Sequence, residues 1–384
     1  MGVDVSVVPC GDYTLTACRH ALQTVLAPLG GLDWVKPGMK IAVKVNLIAG
    51  MKPEAAGTTH PALVSALADL LCERGAAVTV GDSPGGLFSA GYVGRMYTSA
   101  GLYAVEEHGA VLNQDFSQRI VNNPDGKVCH RFPYTAWLDS ADAVINFCKL
   151  KTHGMMAFTG AAKNLFGVIP GTNKPEFHFQ FSNPANFARM LLDVDTFVNP
   201  RISICDAVVA MEGNGPTAGT PRPLGFVAAS ASPHKLDLLC AATIGLTRTD
   251  VPTLVAAYER GLIPAKAEEL EVAGEWQTYI TPNFKRIEAQ SSLLFRGHEG
   301  LLGNLWGILM QKAICPRPRV RPDICVGCGK CRDICPAKAI EMTDRRPKID
   351  RAKCIHCFCC QEFCLKGAME QHRTALARLL NPQT

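Results

Sequence analysis

Short β-branched apolar runs alternate with stretches of helical spacing over roughly the first 245 residues. The runs at 3–8, 40–47, 77–81, 143–147, 201–209 and 225–229 predict strands. The stretch 61–73 predicts the clearest helix, with Thr59 or His60 near its N-cap, Pro61 in its first turn and Gly75 at its end. A second helix, 235–243, starts in the same way after Ser232-Pro233. Strands and helices in alternation predict an α/β fold, a parallel or mixed sheet flanked by helices. From 246 to 300 the pattern weakens into short helical pieces broken by Pro252, Pro264 and Pro282, which reads as surface cover for the same domain. The stretch 301–312 predicts an amphipathic or fully packed helix, and 315–322, rich in Pro and Arg, an extended linker. The expected division is therefore an α/β domain over 1–300 with its core at about 40–245, a helix and linker over 301–320, a small α+β domain over 321–370 and a terminal helix over 371–384.

The small domain carries the sharpest chemical signal. Cys325-x-x-Cys328-x-x-Cys331-x-x-x-Cys335-Pro336 is followed by Cys354-x-x-Cys357-x-x-Cys360-x-x-x-Cys364. Bacterial-type ferredoxins hold iron–sulfur clusters with this spacing, and here it occurs twice. Three thiolates at i, i+3 and i+6 in a turning loop reach three irons of one cubane. The fourth, beyond a proline or chain reversal, ligates the other cluster. The expected sets are Cys325, Cys328, Cys331 and Cys364 for one 4Fe–4S cluster, and Cys354, Cys357, Cys360 and Cys335 for a second. Zinc sites usually pair two C-x-x-C units instead, and a disulfide scaffold needs an oxidising compartment that nothing else here suggests. The second run departs from the pattern twice: Leu365 stands where proline is usual, and an extra Cys359 sits beside Cys360. Cys359 either replaces a neighbour as ligand or is a free thiol, and the reading favours the thiol.

Composition adds bounds. With 384 residues, 47% hydrophobic and 19% charged, the chain suits about two globular domains with a sizeable core. No apolar run is long enough to predict a membrane span, and the opening MGVDVSVVPC lacks the basic-then-apolar pattern of a signal peptide. Seventeen cysteines without an export signal fit a reducing cytoplasm. From Arg317 onward there are 14 Lys/Arg and 7 Asp/Glu, a formal +7, so the rest of this +5 chain carries −2. Two clusters with four thiolates each would offset about four of those positive charges. The basic excess reads as cluster compensation, or as a docking face for an acidic electron donor such as a ferredoxin or flavodoxin. A nucleic-acid partner is not expected, because aromatic residues are not interleaved with the charge.

Polar residues of the large domain gather after predicted strands. Lys44 and Asn46 end the run 41–47, Asp82 and Ser83 follow 78–81, and Lys149, Lys151, Thr152 and His153 follow 144–147. Asp206, Glu212 and Asn214 follow 202–204. In open α/β sheets ligands bind at the carboxyl ends of strands, so these groups mark a candidate crevice. Each has a plainer explanation. The loop Gly81-Asp-Ser-Pro-Gly-Gly86 lacks both phosphate-loop fingerprints and serves equally as a strand-to-helix turn. Lys44 and Asn46 alternate as on any half-exposed strand. Density is the stronger argument: Lys149, Lys151, His153, Lys163 and Asn164 lie within sixteen residues of apolar, Gly-rich chain. Such charge is hard to bury without an anion to meet it. Gly160 and Gly167, flanking Lys163-Asn164, would let the backbone approach that ligand.

Several motifs together resemble the domain-of-unknown-function 362 family in its iron–sulfur branch. They are Lys44-Val-Asn-Leu47, Thr58-Thr-His-Pro61, Val80-Gly-Asp-Ser-Pro-Gly85, Asn146-Phe-Cys-Lys-Leu-Lys-Thr-His153, Thr159-Gly-Ala-Ala-Lys-Asn-Leu-Phe-Gly167, and Asp206 with Met211-Glu-Gly-Asn-Gly-Pro216. The resemblance implies an α/β domain coupled to two 4Fe–4S clusters, and it supplies no substrate.

Three functions fit these residues. In the first, a ferredoxin-type reductase feeds electrons from the clusters to an anionic small molecule. Lys44, Lys149, Lys151 and Lys163 hold it, and His153 donates a proton because its ordinary pKa lies near operating pH. In the second, the large domain only docks a partner enzyme. In the third, His153, Asp206 and Glu212 bind an additional metal that the clusters reduce. A flavin bridge between one-electron clusters and a two-electron reduction is left open.

Overall fold

The computed structural model of the protein describes residues 2–287 and 316–372. The helix expected at 301–312 lies outside them. So does the expected terminal helix, apart from its first two residues, which end a strand instead. In chain order the strands of the large domain are β1 (Val5–Pro9), β2 (Lys40–Lys44), β3 (Ala77–Gly81), β4 (Val111–Leu112), β5 (Gln118–Asn122), β6 (Arg131–Thr135), β7 (Ala143–His153), β8 (Ala157–Thr159), β9 (Ile202–Glu212), β10 (Thr220–Ser230) and β11 (Val272–Ala273). Nine of them form one mixed sheet in the order β11-β1-β10-β9-β7-β2-β3-β4, with β8 on β7, while β5 and β6 pair separately. β3, β2, β7 and β9 run parallel, and β10 is antiparallel to both neighbours. The chain passes from β2 to β3 on one side and returns as β7 on the other, so the carboxyl ends of these strands open a crevice at a switch point.

The helices are α1 (Leu15–Leu26), α2 (Pro61–Cys72), α3 (Ala90–Ser99), α4 (Ala161–Asn164), α5 (Lys174–Gln180), α6 (Pro184–Val198), α7 (Pro233–Thr243) and α8 (Pro252–Glu259). For α2 the sequence signals act as expected. His60 is the N-cap, its ring nitrogen accepting from the Ala62 amide at 3.3 Å, and Gly75 turns the chain out with φ +80°. Ser232 caps α7 through the Lys235 amide. The parallel strands present Val43, Val80, Ile145 and Ile204 to a core shared with Leu63 and Leu67 of α2. These side chains are essentially inaccessible, and burying each is worth about 1.5–3 kcal/mol.

β7 and β9 extend past their predicted ends, to His153 and Glu212. The apolar pattern stops at Phe147, but Lys149, Lys151 and His153 continue the strand as buried polar residues held by partners on β8, β9 and the adjoining loops.

The small domain contains β12 (Arg317–Val320), α9 (Lys330–Asp333), β13 (Ile340–Thr343), β14 (Arg346–Ile349), α10 (Cys359–Glu362) and β15 (Met369–His372). β12 pairs antiparallel with β15, and β13 with β14. The expected linker is therefore partly a strand. Pro318 is tolerated there because a two-stranded ribbon has free edges that need no donor.

The small domain docks on the carboxyl ends of the sheet. Thr217 donates to the Glu362 carbonyl at 3.0 Å, Asn214 to the Met369 carbonyl at 3.2 Å, and Gln371 to the Gly154 carbonyl at 3.2 Å. Gln361 donates to the Gly215 carbonyl at 3.2 Å and also to the Asn214 side chain. A Cβ at Gly85 would strike the Phe363 ring, and one at Gly154 would strike Gln361. The other domain approaches closely at both glycines.

Candidate functional site

Lys149, Lys151 and His153 occupy alternate positions of β7, beyond the point where β2 stops, so one strand carries three polar groups into the crevice. Two of the expected lysines are committed to carboxylates of the same domain. The Lys44 ammonium lies 2.7 Å from Asp82, 3.0 Å from the Asn164 side-chain oxygen and 2.8 Å from the Val45 carbonyl. Burial still pushes its pKa down, with Asp82 opposing. Asp82 also accepts from the Leu47 and Ser83 amides, each at 2.8 Å, and so ties β2 to β3. Lys149 lies 2.7 Å from Asp206, its register partner on β9, and 2.8 Å from the Tyr13 hydroxyl. Tyr13 in turn donates to Asp206 at 2.9 Å and stacks on His60 with ring centroids 3.5 Å apart. These two closed ion pairs hold the strand ends together.

Lys151 is different. It donates to Asn46 at 2.5 Å and to the Gly57 carbonyl at 2.8 Å and has no carboxylate in contact among the described residues, and burial pushes its pKa down to about 7. His153 is equally buried, and its pKa falls to about 4, burial being the largest cause and Lys163 the next. Its Nδ1 accepts from the Met155 and Met156 amides at 3.1 and 3.2 Å, which fixes the ring proton on Nε2. That nitrogen faces Glu362 of the small domain at 3.7 Å and makes no hydrogen bond among the described residues. His153 is thus a neutral N–H donor rather than an imidazolium acid, contrary to the expectation from its ordinary pKa.

Asn164 links the Lys44 side to Asn146, donating to it at 2.8 Å, and Asn46 donates to Asn164 at 3.0 Å. Lys163, 9% exposed, makes no ion pair or hydrogen bond among the described residues, and its ammonium lies over the Phe166 and Phe187 rings at 5.4 and 5.9 Å. Ser83 accepts from the Gly171 amide at 2.9 Å. Glu212 and Asn214 turn away from this group: Glu212 accepts from the Lys285 amide at 3.0 Å, and Asn214 belongs to the seam between domains. His153, Asp206 and Glu212 therefore have separate partners. Gly160 and Gly167 are also explained from within the protein, because a Cβ at the first would meet Asp237 and at the second Asp82 and Lys44.

Four contributors escaped the sequence reading: Tyr13, Lys174, His178 and Glu362. Lys174 donates to the Ser83 carbonyl, and burial lowers its pKa to about 8. His178 stacks on Phe187 with centroids 4.4 Å apart, and burial lowers its pKa to about 3. Glu362 lies between two cluster cysteines in sequence. Its carboxyl is held well below the usual range by Lys163 and His153, which outweigh its burial. Nothing in the sequence ties it to residues two hundred positions earlier.

The eight motif cysteines line two cavities. Cys325, Cys328, Cys331 and Cys364 line the first. Cys335, Cys354, Cys357 and Cys360 line the second, together with Cys359. The Ala368 amide donates to the Cys364 sulfur and the Ala339 amide to the Cys335 sulfur, each at 3.2 Å, as suits thiolate ligands. Among the described residues no three His, Cys, Asp or Glu side chains close on a single metal ion. The cysteines instead ring a volume, which fits a polynuclear cluster better than zinc with sulfurs at about 2.3 Å from one point. Among the described residues no helix is long and apolar enough to cross a membrane.

Comparison with known proteins finds these likenesses. The model of the domain of unknown function DUF362 matches residues 41–242, and that of a 4Fe-4S dicluster domain matches residues 317–365. A thylakoid-associated protein of Synechocystis is 34% identical over 292 residues, 74% of this chain and 88% of that protein. The lactate racemase apoprotein of Thermoanaerobacterium thermosaccharolyticum aligns at TM-score 0.40 and 13% identity, over 64% of this chain and 58% of that one.

Proposed function

From the premise that the chain belongs to the DUF362 family and carries a 4Fe-4S dicluster domain, we propose that it is an iron–sulfur oxidoreductase of the reductase kind, acting on an anionic substrate or cofactor in the crevice. One observation carries this reading. The helix α10, which contains Cys360 and ends just before Cys364, sets Glu362 against His153 at the carboxyl ends of the sheet, so the cysteine-lined cavities adjoin the polar group rather than a remote surface. Bound clusters would supply electrons one at a time.

The protein's own residues divide the remaining work. Lys151 and Lys163 attract the anion, since Lys44 and Lys149 are neutralised internally. Lys151, with a pKa of about 7, is the group that can give up a proton near neutral pH. His153, neutral and with Nε2–H aimed into the site, stabilises developing negative charge on the substrate by hydrogen bonding. Asn46 and Asn164 orient the lysines. The small domain covers the crevice and keeps water from it. An acidic one-electron carrier such as a ferredoxin or flavodoxin is the donor in this reading, and the cytoplasm is the compartment.

The test is anaerobic. Chemically reduced protein is mixed with a panel of small carboxylates and phosphate esters while cluster absorbance is followed. Reoxidation matched by product is expected, and Lys151→Ala should abolish it with iron content intact. If no acceptor reoxidises the protein, the reading passes to an adaptor that hands electrons to a partner enzyme; if the variant behaves as wild type, Lys151 has no part in the reaction.

A further inference from the structure

Charge on the small domain is segregated, and its placement is more telling than its sum. Residues 316–372 hold twelve Lys/Arg and seven Asp/Glu, a formal +5, and two oxidised clusters at about −2 each with their thiolates would leave about +1. At the first cavity the acids beside the cysteine run are already paired at 2.7 Å, Asp323 with Arg321 and Asp333 with Arg332. Lys330 and Lys366 line that cavity and are exposed. Arg346, also exposed, donates to the Pro322 and Cys325 carbonyls at 2.7 and 2.8 Å. Arg345 lies against Gly327, where an added Cβ would come within 3.0 Å of the arginine's own Cβ. These four cations make no ion pair among the described residues, and Asp344, exposed in the turn before Arg345, offsets one of them.

Inside this rim the surface is apolar. Val326 is 52% exposed and Leu365 49%, and both line the cavity, of about 190 Å³, whose ligand Cys328 is itself exposed. An apolar centre ringed by unpaired cations around an accessible sulfur has the anatomy of an interface for a partner of opposite charge. The cluster's charge belongs among the sulfurs inside the cavity, whereas the cations stand in solvent around its mouth, so an approaching protein meets the cations first. The second cavity offers no such face. Cys357 and Cys360 are buried, Phe358 packs into the core of the large domain, and no Lys or Arg among the described residues lines it.

We propose that Val326 and Leu365, ringed by Lys330, Lys366, Arg345 and Arg346, form the docking surface for a small acidic one-electron carrier protein, whose electron enters at the first cavity. The inference rests on reading the protein as a reductase and adds where its donor binds. The step is a one-electron transfer: the carrier is oxidised by one electron, the cluster of the first cavity is reduced by one, and no bond or proton changes. Cys360 and Cys364 lie four residues apart in the chain and line the second and first cavities respectively, so the two cluster seats are neighbours. The cations set the rate of encounter and its salt dependence, and the apolar centre sets the lifetime of the complex.

Calorimetric titration of the anaerobic, cluster-loaded protein with an oxidised plant-type ferredoxin, and separately with a flavodoxin, tests this. Saturable one-to-one binding of at least one carrier is expected, weakening as salt rises. Lys330→Glu combined with Lys366→Glu should weaken it about tenfold at unchanged iron content, and Leu365→Asp several-fold. Lys36→Glu combined with Lys266→Glu, an equal change of charge at exposed positions of the large domain, should stay within about twofold. The proposal is overturned if neither carrier binds, or if the large-domain pair costs as much as the small-domain pair. It is also overturned if Leu365→Asp leaves carrier binding unchanged and instead splits a dimer of the protein alone in sedimentation, which would make the face an interface between two copies. Oxidised carriers bind without substrate, so the two readings fail separately. Absence of docking with reoxidation by an acceptor intact rejects this surface alone, and docking with no acceptor found rejects the reductase reading alone.

Discussion

The two cysteine runs share one spacing and occupy opposite surroundings. The first cavity leaves Cys328 exposed, with Val326 and Leu365 about half exposed beside it and Lys330 and Lys366 as its charged lining. The second has Cys357 and Cys360 buried, and Phe358 packs into the core of the large domain. Matching positions between the cysteines account for the difference. Gly329, Lys330, Arg332 and Asp333 of the first run correspond to Phe358, Cys359, Gln361 and Glu362 of the second. Gly329 and Phe358 both take a left-handed conformation, φ +77° and +59°. Only Phe358 is under strain there, and packing holds it in place. Arg332 and Asp333 pair with each other at 2.7 Å in solvent, whereas Gln361 and Glu362 make the seam. Spacing therefore sets ligand geometry, and the residues between the ligands decide which repeat faces the crevice. Cys359 occupies the place of an exposed lysine because a lysine there would be buried.

The comparison can be broken most forcefully at the cysteines. Cys328→Ser and Cys360→Ser should each reduce iron from about eight to about four atoms per chain. Only Cys360→Ser should also loosen the seam, read as faster proteolysis between the domains. Equal loosening in both would erase the distinction between inner and outer repeats.

Exchanging the intervening residues comes next. Cys359→Lys places an ammonium in a buried position and should cost several kcal/mol, releasing the small domain. The reverse exchange, Lys330→Cys, lies at the surface and should stay within about 0.5 kcal/mol. Thermal unfolding of the two variants checks both.

The inner repeat carries Glu362, whose charge acts on Lys151, so pH should separate the two faces. Lys151 is protonated below about pH 7 and loses its proton above it, so reduction of a crevice substrate should fall as pH rises through 7. Reduction of an artificial one-electron dye at the outer face should show no such limb. A flat profile for the substrate would remove Lys151 as the proton source.

Smaller effects sharpen the picture. Gln361→Ala removes the hydrogen bonds to Gly215 and Asn214 and should weaken docking by about 1–3 kcal/mol, while Arg332→Ala at the matching outer position should be near neutral. Cys359→Ser should leave iron content unchanged. Loss of iron in that variant, with Cys360→Ser keeping it, would show that the ligand is one residue earlier.

The chain order and spacing of the residues fixed much of this in advance. Parallel strands flanked by helices, the caps of α2 and α7, and the spacing of three cysteines within each run follow from local periodicity and short-range spacing, which act over a few residues. Density of polar residues likewise marked Lys151, His153 and Lys163 as unusual. Local pattern did not show that Lys44 and Lys149 are neutralised by Asp82 and Asp206, since those partners are 38 and 57 residues away in sequence and meet only across the sheet. Nor did it show that His153 is neutral, because burial depends on what lies over it. Tertiary structure alone brought Lys174, His178 and Glu362 to one recess, and it chose the second cysteine run to face that recess. Spacing is a property of the chain, whereas charge balance and burial are properties of the surroundings that only folding creates.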